Sequence, residues 1–202
     1  MAPRIVLATR NRHKLEELHR ILDAAGLDIE LVGADEFPDL PDIPETEASF
    51  AGNALLKARE IARLTGLPAI ADDSGLSVDA LNGMPGILSA RWSGVHGDDA
   101  ANLDLVLAQL TDVPDRRRGG AFHCAAAIAL PDGTERVVEG TIEGVIIREA
   151  RGTGGFGYDP IFVPVGGERT LAEMPAAEKD AISHRGRALE ALAPVVADLL
   201  TT

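Results

Sequence analysis

The chain has 202 residues, of which 46% are apolar and 3% aromatic, and its formal net charge at pH 7 is −13. This length predicts one domain over residues 1–202, and the acidic balance argues against a nucleic-acid partner, because a binder of polyanions needs a basic surface. A single cysteine, Cys124, excludes an intramolecular disulfide. With no apolar leader and no apolar run long enough for a bilayer, we expect a cytoplasmic protein without a membrane partner.

The first third of the chain predicts two strands and two helices. Residues 4–9 are apolar and rich in β-branched residues, and apolar residues at helical spacing follow them. A second strand is predicted over 29–32, and the acidic, proline-containing residues 33–48 are predicted to form a loop. Ser49 is placed to cap a second helix that ends at Gly66.

The remaining sequence predicts further alternation of strands and helices. In chain order it contains a strand over 67–71 that leads into Asp72-Asp73-Ser74-Gly75, a glycine-rich loop over 81–97, a helix that starts at Asp98 or Asp99, a hairpin of two strands over 121–130 and 135–147, and a last helix capped by Ser183. The only basic cluster, Arg116-Arg117-Arg118, is interpreted as a solvated turn before the hairpin. The pattern predicts an α/β domain with a central mixed β-sheet flanked by helices.

The most informative segment is 152–162, which reads Gly-Thr-Gly-Gly-Phe-Gly-Tyr-Asp-Pro-Ile-Phe. Its glycines let backbone amides approach a ligand closely, as residues with side chains would not. Phe156 and Tyr158 supply rings that can stack, and Asp159 supplies an acceptor beside a proline. Amides for an anion, a ring for stacking and a carboxylate for a base edge indicate a nucleotide. The alternative is a plain glycine-rich hairpin loop.

A second candidate site joins the first strand to the first helix and reads Thr9-Arg10-Asn11-Arg12-His13-Lys14. Free amides at the start of a helix favour an anion, and Lys14 adds a full positive charge there. The spacing is not that of a P-loop. A capped helix start without a ligand explains this segment equally well.

Carboxylates form a third candidate. Asp72 and Asp73 follow an apolar strand, so both are expected at its end, and two acids near a phosphate suggest a hard divalent cation. Successive side chains of a strand point in opposite directions, so one aspartate can face a ligand while the other braces the turn. An Asp-rich turn is the alternative, and the Asp-x-Asp-x-Thr spacing of haloacid dehalogenases is absent. Asn53 and Lys57 share one face of the second helix.

The last candidate is Ser183-His184-Arg185-Gly186, preceded by Lys179. The guanidinium of Arg185 is a planar fork of donors that suits a carbonyl oxygen on a base, and His184 can stack or donate. A capping serine followed by a solvated arginine is the alternative.

Together these segments resemble the inosine/xanthosine triphosphate pyrophosphatases, enzymes that remove non-standard purine nucleotides from the nucleotide pool. The resemblance runs from Ile5 to Arg187 in the order of the family's motifs. The matching positions are 7–14, Glu45, Phe50, 53–54, 57–58, 71–76, 85–87, 89–94, 152–162, 178–179 and 183–186. Two positions depart from the family, which usually has Gly in place of Arg10 and Glu in place of Gly52.

The resemblance implies two lobes around a nucleotide cleft, a homodimer, and hydrolysis of ITP, dITP and XTP to the monophosphate and pyrophosphate with Mg²⁺. It implies Asp73 as general base and metal ligand, Glu45 as second metal ligand and Asp72 as support. It implies a triphosphate site formed by Thr9, Arg10, Asn11, Arg12, His13, Lys14, Lys57 and Ser74. It implies a purine pocket formed by Phe156, Gly157, Tyr158, Asp159, Lys179, His184 and Arg185.

Two other interpretations stay open from the sequence. The Maf-type nucleotide pyrophosphatases share the general architecture and reaction but do not explain Ser-His-Arg-Gly. A nucleotide-binding regulatory module without turnover is the other, although it would not need Glu45 and paired aspartates. Trp92, in a glycine-bounded loop, is either an anchor of the dimer interface or part of the monomer's own core.

Overall fold

The computed structural model describes residues 2–9 and 12–201, and this part of the chain forms six β-strands and five α-helices. In chain order they are β1 (Arg4–Leu7), α1 (Arg12–Ala24), β2 (Glu30–Gly33), α2 (Phe50–Thr65), β3 (Ala69–Val78), α3 (Asp99–Gln109), β4 (Gly119–Ala129), β5 (Glu135–Ile146), β6 (Phe162–Pro164), α4 (Ala176–Ile182) and α5 (His184–Thr201). The strands form one sheet in the order β2-β1-β3-β4-β5-β6. Because β1 pairs in parallel with β2 and β3 while β5 and β6 are antiparallel, the sheet is mixed, as predicted.

The predicted helix ends are confirmed by their hydrogen bonds. The Ser49 side chain accepts a hydrogen bond from the amide of Gly52, and α2 ends at Gly66, whose φ of 69° lies in the left-handed region that glycine tolerates. Asp98 caps α3 by accepting a hydrogen bond from the amide of Ala101 at 3.0 Å. No helix of the described residues is long and apolar enough to span a bilayer.

The chain divides into two compact units. Unit 1 comprises Met1–Asp73, Cys124–Gly140 and Arg187–Thr202, and unit 2 comprises Ser74–His123 and Thr141–Gly186. The boundaries fall inside three strands, so β3, β4 and β5 each contribute residues to both units.

Unit 1 buries both faces of its strands. On one face, Ile5, Leu7 and Ile70 belong to a core cluster with apolar residues of α1 and α5. On the other face, Val6 and Ala71 pack in a second cluster with the alanine-rich side of α2. Successive residues of β1 and β3 alternate between these two clusters. The position of a residue in either strand therefore tells which face of the sheet its side chain occupies.

Unit 2 has its own core, built by the strand residues after position 74 together with α3 and the segment before β6. Its fully buried members include Leu76, Val106, Leu110, Ile161 and Phe162.

The structure corrects the prediction for residues 72–75. We expected the strand to end at residue 71, but β3 continues through residues 72–75 as far as Val78. Gly75 is required by close packing, because a Cβ there would clash with the side chain of Ser89 and with the carbonyl of Gly86. The hydroxyl of Ser89 also accepts a hydrogen bond from the amide of Leu76 at 2.9 Å. These contacts hold the segment extended.

Three other local predictions were incomplete. The loop predicted over 81–97 contains a 3₁₀ helix at Gly86–Arg91, and α4 before the last helix was not predicted. In the basic cluster, Arg116 and Arg117 are exposed as expected, but Arg118 is only 3% exposed. Its guanidinium donates to the carbonyls of Leu110, Ile146 and Ile147, at 2.7, 2.8 and 3.0 Å respectively.

Candidate active site and base pocket

Four side chains of unit 1, Glu45, Asn53, Lys57 and Asp73, form a group that we call the acidic cluster. The Lys57 ammonium donates to Glu45 Oε1 at 2.8 Å and lies 3.6 Å from Asp73 Oδ1. Asn53, whose relative exposure is 0%, donates to Asp73 Oδ2 at 3.0 Å. Asn53 and Lys57 are one helical turn apart on α2, and the small alanines beside them let the helix lie close to β3.

Asp72 is not part of this cluster. Its Oδ2 pairs with the Lys14 ammonium at 2.7 Å, on the side of the strand that faces α1. The alternation predicted for the two aspartates is therefore confirmed in direction, although neither lies in a turn. Asp73 lies on the α2 side together with Glu45, and Asp72 lies on the opposite side.

Burial and neighbouring charges shift the pKa values in the acidic cluster. Burial is the main cause of the raised pKa of the Asp73 carboxyl, Lys57 opposes it, and Glu45 adds to it. Burial also lowers the pKa of Lys57, but the carboxylates of Asp73 and Glu45 outweigh that effect, so this pKa lies above its ordinary value. The lysine is held charged between two carboxylates.

Thr9 and Lys57 line one cavity of about 260 Å³ in unit 1. Its other walls are Ala8, Ala34, Leu40, Pro41, Asp42, Ile43 and Ile61. Two of the residues implied for the triphosphate thus share a cavity, and Lys14 pairs with Asp72. Arg10 and Asn11 lie outside the described residues, as do the side chains of Arg12 and His13, so their phosphate roles stay predictions.

The acidic cluster has a donor set that suits Mg²⁺. Within residues 2–9 and 12–201, no group of three or more His, Cys, Asp or Glu side chains is arranged to hold a metal ion alone. Mg²⁺, however, is usually held by one or two carboxylates together with substrate phosphates. Glu45 and Asp73 provide two carboxylates, and the position between them already accommodates a cation, the ammonium of Lys57.

Unit 2 contains a cavity of about 110 Å³ that we call the aromatic cavity. It is lined by Ser74, Gly75, Ser89, Ala90, Asp99, Phe122, Phe156, Gly157, Tyr158, Asp159 and His184. The cavity therefore brings together six of the residues implied for the purine pocket or the triphosphate site: Ser74, Phe156, Gly157, Tyr158, Asp159 and His184. An apolar, ring-lined space with polar groups at its edge is typical of a site for a flat heterocycle.

Phe156 is the exposed ring of this cavity, with 67% relative exposure. The Lys179 ammonium lies over the ring, 4.6 Å from its centroid, and also pairs with Asp159. Asp159 Oδ2 accepts a second hydrogen bond, from the Phe156 amide at 2.9 Å. The Asp159 carboxylate thus holds both the loop and Lys179 in place.

Two amides of the glycine segment, which we expected to be available to an anionic ligand, are bonded to carboxylates of unit 2. The Phe156 amide bonds to Asp159, and the Gly157 amide donates to Asp99 Oδ2 at 2.9 Å. The Tyr158 hydroxyl is also engaged within unit 2, because it donates to the Ser89 carbonyl at 2.8 Å. Burial, and then the charge of Asp99, raise the pKa of Tyr158, so the hydroxyl stays protonated.

The Ser-His-Arg-Gly motif combines two kinds of residue. The Ser183 hydroxyl accepts a hydrogen bond from the Gly186 amide at 2.9 Å, and a Cβ at Gly186 would clash with the Asp180 carbonyl, so these two shape the start of α5. The His184 ring stacks on Phe122 with centroids 4.9 Å apart and planes 9° apart. Arg185 is buried, and this burial lowers the pKa of its guanidinium to about 10. His184 lines the aromatic cavity; the donation of Arg185 to a base stays a prediction.

Sequence reasoning missed Asp99, Ser89 and Phe122 as cavity residues. Asp99 was interpreted only as a helix start, and Phe122 lies in a run of apolar strand residues. Their positions depend on the packing of unit 2. Ser89 lies in the matching segment 89–94, but no local sequence signal marks Asp99 or Phe122 as a cavity residue. Cys124 is buried, as expected for a small core residue, and burial raises the pKa of its thiol.

Comparison with known proteins supports one family. The profile of the Ham1 family matches residues 5–195. A dITP/XTP pyrophosphatase of Streptomyces coelicolor is 63% identical over 197 residues, which cover 98% of each chain. A dITP/XTP pyrophosphatase of Nocardia farcinica is 60% identical and covers 97% of this chain and 96% of its own.

Solved structures agree with this result. A nucleoside-triphosphatase or dITP/XTP pyrophosphatase of Mycobacterium abscessus has a TM-score of 0.82 at 59% identity and covers 96% of this chain and 99% of its own. A HAM1 protein of Coxiella burnetii has a TM-score of 0.90 at 44% identity and covers 97% of this chain and 99% of its own. These solved structures therefore share the α/β fold of this chain. The chain belongs to the Ham1 family.

Proposed function

We propose that this protein is a nucleoside triphosphate pyrophosphatase that hydrolyses ITP, dITP and XTP to the monophosphate and pyrophosphate. The observation that carries the proposal is the acidic cluster, in which Asp73 is held by Asn53 and Lys57 beside Glu45. The curated relatives that are about 60% identical, named dITP/XTP pyrophosphatases, support the same reaction. Removal of such nucleotides from the pool prevents their incorporation into DNA or RNA.

In this reaction water attacks the triphosphate, and one P–O bond of the bridge between the α and β phosphorus atoms breaks. Asp73 accepts the proton of the attacking water, and pyrophosphate leaves with the bridging oxygen. Asn53 fixes the orientation of the Asp73 carboxylate, since its amide donates to Oδ2. Lys57 provides a positive charge for phosphate oxygens, and Thr9, which lines the same cavity, provides a hydroxyl.

Mg²⁺ is part of the proposal, with Glu45 and Asp73 as the side chains that hold it. When bound, it neutralises negative charge on the phosphate oxygens. The pair Asp72–Lys14 supports the strand from the other side.

The purine is assigned to the aromatic cavity, with its ring stacked on Phe156. Hypoxanthine and xanthine carry an O6 acceptor and an N1 hydrogen, whereas adenine presents the reverse polarity. Lys179 and Arg185 are donors suited to O6, and they would face the amino group of adenine. An unpaired buried donor of this kind can cost specificity by about 10⁴-fold in favourable cases.

The proposal is tested by release of pyrophosphate from ITP, dITP, XTP, ATP and GTP with Mg²⁺. We expect kcat/KM for the first three to exceed that for ATP and GTP by a wide margin, with the monophosphate as the second product. Equal values for ITP and ATP would refute the specificity, and release of single phosphate would refute the reaction. A nucleotide-binding module without catalysis would bind ITP and release nothing.

A homodimer in the cytoplasm is a further part of the proposal, inherited from the resemblance. Trp92 packs against the core of unit 2, and its Nε1 donates to Gln109 at 2.9 Å, which favours the intramolecular role for this side chain. Light scattering at micromolar concentration tests the assembly, and a monomeric mass would overturn it.

A further inference from the structure

Asp99 is the feature of the aromatic cavity that the proposed function leaves without a role. It is the first residue of α3, lies exposed at the cavity, and bonds through Oδ2 to the Gly157 amide. Among the residues that the structure describes, it forms no ion pair and its Oδ1 accepts no hydrogen bond. One carboxylate oxygen is thus anchored while the other remains available as an acceptor.

Three other polar side chains of the cavity, those of Ser89, Tyr158 and Asp159, are engaged within unit 2. The Asp159 charge is matched by Lys179, and its Oδ2 also takes the Phe156 amide. The Tyr158 hydroxyl donates to the Ser89 carbonyl. The Ser89 hydroxyl in turn bonds to the Gly86 carbonyl at 2.6 Å and to the Leu76 amide. Of the two carboxylates that line the cavity, Asp99 is therefore the one without a paired positive charge among the described residues.

We propose that Asp99 is a specificity-determining residue that accepts the N1 hydrogen of a 6-oxopurine in the aromatic cavity. The inference rests on the proposed function and deepens it, since that function assigns donors for O6 but no acceptor for N1. Adenine carries a lone pair at N1, so the same carboxylate repels it. The protein then selects the base at two neighbouring positions of opposite polarity, with a protein donor at O6 and a protein acceptor at N1.

The anchor to Gly157 has a consequence for guanine. A free carboxylate can accept two parallel hydrogen bonds, from N1 and from the 2-amino group. In this structure Oδ2 is already bonded to the Gly157 amide, so the second of these bonds would share Oδ2 with a backbone contact. Guanine therefore gains less from its 2-amino group than it would from an unanchored aspartate.

The hydrogen bond between the Gly157 amide and Asp99 Oδ2 also links recognition of the base to the position of the Phe156 ring. Gly157 follows Phe156 directly, and its φ of 59° lies in the left-handed region, so the amide direction depends on a glycine at this position. The anchored oxygen keeps the loop against α3 while the other oxygen meets the base.

Asp99→Asn is the discriminating variant, because asparagine retains one oxygen for the Gly157 amide and replaces the other by an NH₂ donor. Asp98→Asn is the matched control: it removes the same charge one residue away, at a position that caps α3 through Ala101, and asparagine caps as well as aspartate. Both full-length variants are compared with the unsubstituted protein for kcat/KM on ITP and ATP, and for binding of IMP and AMP by calorimetry.

We expect Asp99→Asn to lower the ITP/ATP ratio of kcat/KM at least about tenfold, with the IMP/AMP affinity ratio falling alongside, while Asp98→Asn leaves both ratios within about twofold. An unchanged ratio, as expected if Asp159 were the acceptor, overturns the inference. Equal losses for both bases also overturn it, because they indicate only a role in holding the loop. Failure of the proposed function would appear differently, as no pyrophosphate release from ITP by the unsubstituted protein, and the IMP/AMP comparison then decides the role of Asp99 by itself.

Discussion

Asp72 and Asp73 are adjacent in β3, yet Asp72 pairs with Lys14 of α1 at 2.7 Å and Asp73 accepts a hydrogen bond from Asn53 of α2 at 3.0 Å. The strand alternation sends them to opposite faces, so the two carboxylates cannot exchange roles by a rotamer change. Asp73 shares its face with Glu45 and Lys57, which makes it the better candidate for the proton acceptor.

We expect Asp73→Asn to lower kcat for ITP by at least about 10²-fold while the fold stays intact, because the amide keeps the shape but cannot accept a proton. Asp72→Asn, on the other face, is expected to cost less. Steady-state kinetics with circular dichroism of both variants checks this. Near-normal turnover in a folded Asp73→Asn protein would place the base elsewhere, with Glu45, which shares Lys57 with Asp73, the first residue to test.

Lys57→Met tests whether the acidic cluster holds a cation. Without the ammonium, Glu45 and Asp73 repel each other with no counter-charge, so we expect the free energy of unfolding to fall by about 1–3 kcal/mol in metal-free buffer. Mg²⁺ should then raise the Tm of this variant more than that of the unsubstituted protein, because a bound cation replaces the lost charge. Lys14→Met, which removes an ammonium on the opposite face, provides the comparison. Equal Mg²⁺ increments in all three proteins would count against this metal site.

The sequence could predict most elements because their signals are local. Ser49 and Gly66 mark the ends of α2 by capping chemistry alone, and the hairpin strands 121–130 and 135–147 agree with β4 and β5 within two residues. Residues 72–75 were misjudged for the opposite reason. Asp, Ser and Gly are typical turn residues, but here contacts with Ser89, distant in the chain, keep the segment in β3.

The candidate site also has features that local sequence predicts and features that depend on contacts distant in the chain. The sequence motifs identified Phe156, Asp159 and Lys179 as candidate site residues. They did not predict that the Asp159 carboxylate binds Lys179 and the Phe156 amide, because these contacts depend on the conformation of the loop. Asp99 could not be found from the sequence, because a helix-starting aspartate is common and its partner Gly157 lies 58 residues away.

Arg118→Lys is expected to destabilise the protein although it conserves the charge. The guanidinium satisfies three backbone carbonyls at once, and an ammonium cannot reproduce that planar fork. A loss of about 1–3 kcal/mol in the free energy of unfolding should follow, measured by urea denaturation. The exposed neighbour gives the control: Arg117→Lys should change stability by less than about 0.5 kcal/mol. Matching results for the two variants would contradict the structural role of Arg118.

Arg10→Gly tests the departure from the family at a residue outside the described part of the chain. If its guanidinium contacts the phosphates, KM for ITP should rise several-fold with little change in kcat, which is the signature of uniform binding. The effect should shrink at high salt, because salt screens an exposed charge. An unchanged KM would assign the phosphates to the other residues of this segment and to Lys57.

Unit 1 consists of three separate segments of the chain, and this division also determines when unit 1 can fold during synthesis. One of its two core clusters needs Leu189, Leu192 and Val196 of α5, near the end of the chain, to cover Ile5 and Leu7 near the beginning. All of unit 2 is translated between these segments. On the ribosome, the apolar face of α1 therefore lacks the cover of α5 until residues 189–196 have left the exit tunnel, which happens after all of unit 2 has been synthesised.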